Sequence, residues 1–171
     1  NNRIFVIHRL DRETSGLMMY AKDEKTMNTL RDNWHDIVKD RRYVTIVSGD
    51  MERDAGSIES WLTDKKLYVA SSPVDDGTGK YALTHYKTIK RANGYSLVEL
   101  KLETGRKNQI RVHMQSIGHP VIGDRKYGHG NEYSPVDRLC LHAKVLEFIH
   151  PMTEKKVRFE TSMPREFRAD N

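Results

Sequence analysis

A single cysteine, Cys140, stands in 171 residues, and one thiol cannot close an internal disulfide. The chain is therefore not a disulfide-stapled secreted scaffold, and a reducing, cytoplasmic setting is the expectation. No apolar run approaches the ~20 residues of a membrane-spanning helix. No basic segment followed by an apolar stretch marks a signal peptide. Internal repeats, low-complexity tracts and heptad runs are lacking too. The eight histidines offer no metal site. His113 and His119 straddle a helix end, His142 and His150 lie along a strand, neither pair has ligand spacing, and there is only one cysteine. Asp76-Gly77-Thr78-Gly79-Lys80 has neither P-loop spacing nor a following helix with Ser or Thr, so it reads as a turn.

What the chain does have is charge. Asp, Glu, Lys and Arg make up 31% of it, with a net charge of +5, a balance that favours anionic partners such as nucleic acid. The length suits one domain over residues 1–171, with enough chain to bury a core. Leu17–Ala21 reads as a short strand. Asp23 reads as an N-cap, and Met27, Leu30, Trp34, Ile37 and Val38 recur at helical spacing over 24–38. Strands follow at 42–48 and 57–62, then a turn-rich loop at 71–80. Strands at 82–91 and 95–103 are joined through Asn93-Gly94, a hairpin signal. Residues 108–118 form a short helix with Ile110, Met114 and Ile117 on one face and Gly118 just past its end. Strands return at 139–149 and 155–161. The fold class is α+β: a mixed, mostly antiparallel sheet flanked by a few helices.

One stretch raises a chemical question. In HRLDRETSGL, residues 8–17, a carboxylate, Asp11, sits between Arg9 and Arg12, and Thr14-Ser15-Gly16 follows. Hydroxyls and a glycine beside a charged segment can fix a loop by local hydrogen bonds, which would hold Asp11 in one place. Arginines around a carboxylate are common in structural ion-pair networks as well.

HRLDRETSGLMMYAK resembles the signature of the RluA-type pseudouridine synthases, with His-Arg-Leu-Asp, Thr-Ser-Gly and Ala-Lys in order. GRKNQIRVHMQSIGHPVIGDRKYG (105–128) resembles that family's second long motif. RLCLHAKVLEFIHP (138–151) resembles its closing stretch, and RRYVTIVSG (41–49) its tyrosine strand. Three departures stand out. Lys107-Asn108 replaces the usual Thr-His, which weakens any role for those two side chains. Arg42 takes over the charge of the usual lysine near the strand tyrosine. The Lys-Pro-containing motif, expected well upstream, is not found in residues 1–171, and the expectation is that the N-terminal part of the catalytic domain is missing.

The resemblance implies a pseudouridine synthase fold, truncated at its N-terminus, and an isomerase acting on uridines of structured RNA, either ribosomal or transfer RNA. It needs no metal or cofactor, because the uracil ring already carries the electrons. Asp11 is the implied catalytic residue. Arg111 is expected to hold the carboxylate in a guanidinium fork and favour its charged form. Tyr43 is expected to stack on the flipped base. Arg9 would fill the space that the base vacates or hold the backbone. Arg12, Arg106, Lys107, Arg125 and Lys126 would meet phosphates, with Gln109 in the same register. The alternative is an RNA-binding module of the same fold without turnover. A carboxylate hydrolase would need a second acid beside Asp11, and nothing marks Glu13 for that role. A monomer is the expected state.

Overall fold

The computed structural model describes residues 3–128 and 136–168. In chain order the strands are β1 (Phe5–Val6), β2 (Ser15–Gly16), β3 (Tyr20–Ala21), β4 (Val38–Ser48), β5 (Ala55–Asp64), β6 (Val69–Ser72), β7 (Lys80–Ala92), β8 (Tyr95–Leu102), β9 (Leu141–Ile149) and β10 (Lys156–Glu160). Seven of them form the path β10-β9-β4-β8-β7-β5-β6, with every neighbour antiparallel. The eighth member, β2, adds parallel to β9, and β1 and β3 make a separate two-stranded ribbon. The helices are α1 (Glu24–Asp32), α2 (Trp34–Ile37) and α3 (Gln109–Ser116). The α+β class read from the sequence is the class observed, and the sheet is mixed only through β2.

Most elements lie where periodicity placed them, with longer strands at 38–48, 55–64 and 80–92. The β7–β8 hairpin turns at Asn93 and Gly94, both at positive φ (57° and 79°), as a two-residue turn of the twisted-hairpin type requires. The expected helix over 24–38 is broken. Asn33 leaves the helical region at φ −120° and closes α1 by donating both its backbone N–H and its side-chain amide to the Thr29 carbonyl, the amide at 2.9 Å. Val38 then opens β4 instead of closing a helix. The expected strand over 17–21 survives only as Tyr20–Ala21, and Met18 is exposed rather than core.

The main core gathers Tyr43 and Val47 of β4, Val98 and Leu100 of β8, Leu141 and Ala143 of β9, and Ile110 and Met114 of α3. Val112, on the other flank of α3, packs with Leu62, Val69, Ala82 and Tyr127. Apolar side chains leave α3 in two directions because the helix is covered on two flanks, whereas the sequence reading assigned it one apolar face. Each such buried side chain contributes about 1.5–3 kcal/mol. His113, fully buried on α3, bonds the Ser60 hydroxyl at 2.9 Å and the Thr84 hydroxyl at 2.8 Å. Its ring is thus a polar strut between helix and sheet. One end of α3 is thereby anchored over the sheet, with its N-terminus at the opening loop.

Candidate active site

The opening loop is fixed at both flanks of Asp11. Leu10 packs on the main core. His8 accepts the Met19 N–H through Nε2 at 2.9 Å, which ties the two arms of the loop together. The Thr14 N–H closes a turn on the Asp11 carbonyl at 2.9 Å. Ser15-Gly16 then runs beside His142-Ala143. The Ser15 hydroxyl accepts from Arg138 and shares a hydrogen bond with His142 Nδ1, each at 2.7 Å. Gly16 has φ +113°, and a Cβ there would lie 2.2 Å from the Ala143 carbonyl oxygen. Thr-Ser-Gly therefore welds the loop to β9, and only glycine fits the weld.

Asp11 faces the N-terminus of α3. Its Oδ2 lies 3.7 Å from Arg111 Nη1, and the backbone N–H of Asn108 faces its carboxylate and favours the charged form. The expected fork between Arg111 and Asp11 is corrected by the structure. Arg111 gives its bidentate pair to Asp124, Nε to Oδ2 and Nη2 to Oδ1, both at 2.8 Å. Asp124 is wholly buried and also accepts the N–H groups of Lys126 and Tyr127 at 3.0 Å. The remaining arm of Arg111, Nη1, donates to Asn108 Oδ1 at 3.1 Å and points its charge at Asp11. The Arg111 guanidinium lies 5.1 Å from the Tyr127 ring centre, within cation–π range.

The electrostatics follow from this geometry. Burial raises the Asp11 carboxyl above its usual range. Arg111 and the Asn108 N–H pull it back without cancelling the rise, and the charge of Asp124 adds to it. For Asp124 burial acts in the same upward sense, but the Arg111 fork and two backbone N–H groups outweigh it and hold the carboxyl low. Asp124 was not singled out by sequence reasoning, and Asn108 was noted only as a departure that weakened any role for its side chain, whereas the structure bonds that side chain to Arg111. Asp124 stood inside the Gly-Asp-X-X-Tyr-Gly ending, and Asn108 lies three residues before Arg111, the spacing that puts two side chains together on a helix.

Tyr43 is buried in the core and lines a cavity of about 50 Å³ together with Asp11, Thr14, Gln109, Ile110 and Leu141. Its hydroxyl accepts from Arg41 Nη2 at 2.9 Å. Arg41 also lies 5.4 Å from the Trp34 ring centre. The reading that Arg42 supplies the strand's charge is thus corrected to Arg41. Strand alternation puts residues 41 and 43 on one face, and Arg42, on the other, pairs with Asp40 and Glu99.

The small cavity shares Arg9, Leu10, Asp11 and Leu102 with a cleft of about 1010 Å³. Arg9, Arg12, Arg31, Lys39, Arg41, Lys101, Arg106, Lys107, Arg111 and Lys126 line this cleft, against the carboxylates Asp11, Asp40 and Glu103. Arg9 and Arg12 form no ion pair among the described residues. Arg106 donates to the Tyr81 carbonyl at 2.9 Å and Lys107 reaches Asp64 at 3.4 Å. Two residues of the expected RNA-binding set do not line this cleft. Arg125 is exposed and outside the lining, 3.9 Å from Asp137. Gln109 is 2% exposed. Its carbonyl accepts from Thr104 and the Arg106 N–H, and its amide donates to Leu83 and Thr84. Its polar atoms are committed to these four bonds, and it braces the start of α3. Among the described residues no cluster of three or more His, Cys, Asp or Glu has the geometry of a metal site, and no helix is long and apolar enough to cross a membrane.

Known proteins share both the sequence and the architecture. The chain is 38% identical over 172 residues to ribosomal large subunit pseudouridine synthase D of Zymomonas mobilis, covering 94% of this chain and 53% of that protein. It is 39% identical over 162 residues to an uncharacterized RNA pseudouridine synthase, YlyB, of Bacillus subtilis, covering 94% and 52%. It thus spans about half the length of the curated relatives it matches. Among solved structures, human RNA pseudouridylate synthase domain containing 4 superimposes with a TM-score of 0.79 at 25% identity, over 96% of this chain and 73% of that one. Human RNA pseudouridylate synthase domain containing 1 does so with a TM-score of 0.80 at 23% identity, over 94% and 69%. Residues 1–116 match the family described as RNA pseudouridylate synthase, and the chain belongs to that family.

Proposed function

We propose that residues 1–171 form a catalytic unit that isomerises specific uridines of structured RNA to pseudouridine, with Asp11 as the reacting carboxylate. The observation that carries this reading is the placement of a half-buried Asp11 3.7 Å from Arg111 in a cleft lined mainly by cations. The cleft, at about 1010 Å³, is at the upper end of small-ligand pockets, which span ~300–1,000 Å³, and its charge suits a polyanion. The reaction cleaves the bond from uracil N1 to ribose C1′ and forms one from C5 to C1′. The C5 proton is lost and N1 gains one, so the sum is an isomerisation. Asp11 attacks as a nucleophile or takes a ribose proton as a base; either route requires it ionised. Tyr43 offers its ring to the base, and Arg9, at the rim of both cavities, takes the place of the extruded nucleotide. Arg12, Arg106, Lys107 and Lys126 meet the backbone. The name of the Zymomonas relative favours ribosomal RNA as substrate. The protein acts as a monomer in the cytoplasm, without metal or cofactor.

Release of tritium from [5-³H]uridine in ribosomal RNA tests this directly. The wild-type chain releases it, and Asp11→Asn abolishes release while RNA affinity stays within a few-fold. RNA binding by the wild type with no release of tritium would leave only a binding module.

A further inference from the structure

We propose that Asn108 is the positioning residue of the Asp11–Arg111 pair, holding the carboxylate by its backbone N–H and the guanidinium by its side-chain carbonyl. The inference rests on the reading of Asp11 as the reacting group. Asn108 occupies the position just ahead of α3 in the left-handed region, at φ +56° and ψ 20°. Asparagine is one of the few residues with a side chain that enters this region readily. From it the main chain aims its N–H at Asp11. The side chain meanwhile lies over the first turn of α3, where Oδ1 accepts from Arg111 Nη1 at 3.1 Å.

The orientation of the amide is dictated by chemistry. A guanidinium only donates, so the atom facing Arg111 is the carbonyl oxygen. Nδ2 then points to the Tyr127 hydroxyl at 3.1 Å. That hydroxyl is itself held by the Val69 N–H at 2.9 Å, so β6 fixes Tyr127, Tyr127 fixes Asn108, and Asn108 fixes the free arm of Arg111. Asp124 already takes Nε and Nη2. Nη1 alone is left to face Asp11, and Asn108 sets its direction. Asn108 is 6% exposed, so the tie is shielded from water. Neighbouring Lys107 takes no part, because it extends to Asp64.

Two substitutions separate positioning from packing. Asn108→Gly keeps the left-handed backbone and its N–H and removes the carbonyl. It lowers kcat for tritium release at least ten-fold, with KM for RNA within two-fold. Asn108→Asp keeps the shape and puts a negative charge beside the pair. It moves the titration of the Asp11 carboxyl upward by ~1 pH unit or more, read by ¹³C NMR of the labelled carboxylate, and moves the acid limb of the rate profile with it. An Asp11 titration in Asn108→Asp that coincides with the wild-type curve overturns the proposal, as does an unchanged kcat in Asn108→Gly. The NMR titration needs no turnover. A wild-type chain without tritium release would sink the reaction assigned to Asp11 and leave the positioning role of Asn108 to be decided by the titration alone.

Discussion

Asp11 and Asp124 are two carboxylates on one arginine, and their surroundings drive them apart. Asp11 holds its proton to a higher pH in the folded chain than in the unfolded one, chiefly through burial. Its ionised form therefore costs the native state stability at neutral pH. Asp11→Asn removes that cost while Arg111 stays anchored by Asp124, so the thermal midpoint by calorimetry rises even as isomerisation is lost. A fall in the midpoint would mean that Asp11 is a structural ion pair. Asp124 is the opposite case. Its carboxyl is held low by Arg111 and two N–H groups against the upward pull of burial. Its contribution is present above the ordinary carboxylate range and is lost as pH falls through its lowered value. Asp124→Ala strands a buried guanidinium and costs about 3–5 kcal/mol in urea unfolding, whereas a rim charge such as Arg125→Ala stays within about 0.5 kcal/mol.

Among the elements, β2 carries the most consequence for its size. Two residues, Ser15 and Gly16, lie parallel to β9 and fix the arm that presents Asp11. Gly16→Ala forces a side chain into the Ala143 backbone at a strained φ and costs roughly 2–5 kcal/mol. The loop detaches from β9 first, so amides 15–17 exchange hydrogen faster than those of β4. Equal protection in mutant and wild type would show that the weld is dispensable. Periodicity found α3 and its stop because Ile110, Met114 and Gly118 follow helical rules. The Gly118 N–H does close on the Gln115 carbonyl at 2.9 Å. The same rules misread 17–19 and the two ends of 33–38, Asn33 and Val38, on either side of the helical Trp34–Ile37. In the first, the Leu17 N–H goes to the Ala143 carbonyl, more than a hundred residues away, and only Tyr20 and Ala21 pair as a strand, with Val6 and Phe5. In the second, an asparagine cap and pairing of Val38 with Phe148 outweigh an apolar pattern.

For the whole molecule the distribution of charge matters more than the sum. The net charge of +5 is modest, yet the cations collect along one cleft. RNA affinity falls with salt, each neutralised single-strand phosphate contributing a log–log slope of about −0.7. Arg12→Gln with Lys126→Gln flattens the slope by about 1.4, and Arg125→Gln, outside the cleft, leaves it unchanged. Binding isotherms over a range of salt read both. Stability has its own pH signature. His113 is buried and His8 half-buried, and their ring pKa falls to about 4, from desolvation and, for His8, also the charge of Arg41. Between the ordinary histidine value of 6.5 and about 4 the unfolded chain binds more protons than the folded one. Stability therefore drops as pH falls through that window. His113→Gln shrinks the drop; a pH-independent midpoint across the window would refute the account.

The sequence by itself determined the α+β class, the hairpin at Asn93-Gly94, the α3 helix, the family resemblance and the two motifs that carry Asp11 and Arg111. Those features depend on neighbours within a few residues or on long ordered strings. Tertiary structure alone decided that the Arg111 fork belongs to Asp124, that Arg41 rather than Arg42 bonds Tyr43, that Gln109 faces inward and that Asn108 accepts from the free arm of Arg111. Each of these depends on which buried donor meets which acceptor once loop, helix and sheet converge, and a guanidinium with several acceptors in reach goes to the one already fixed in place.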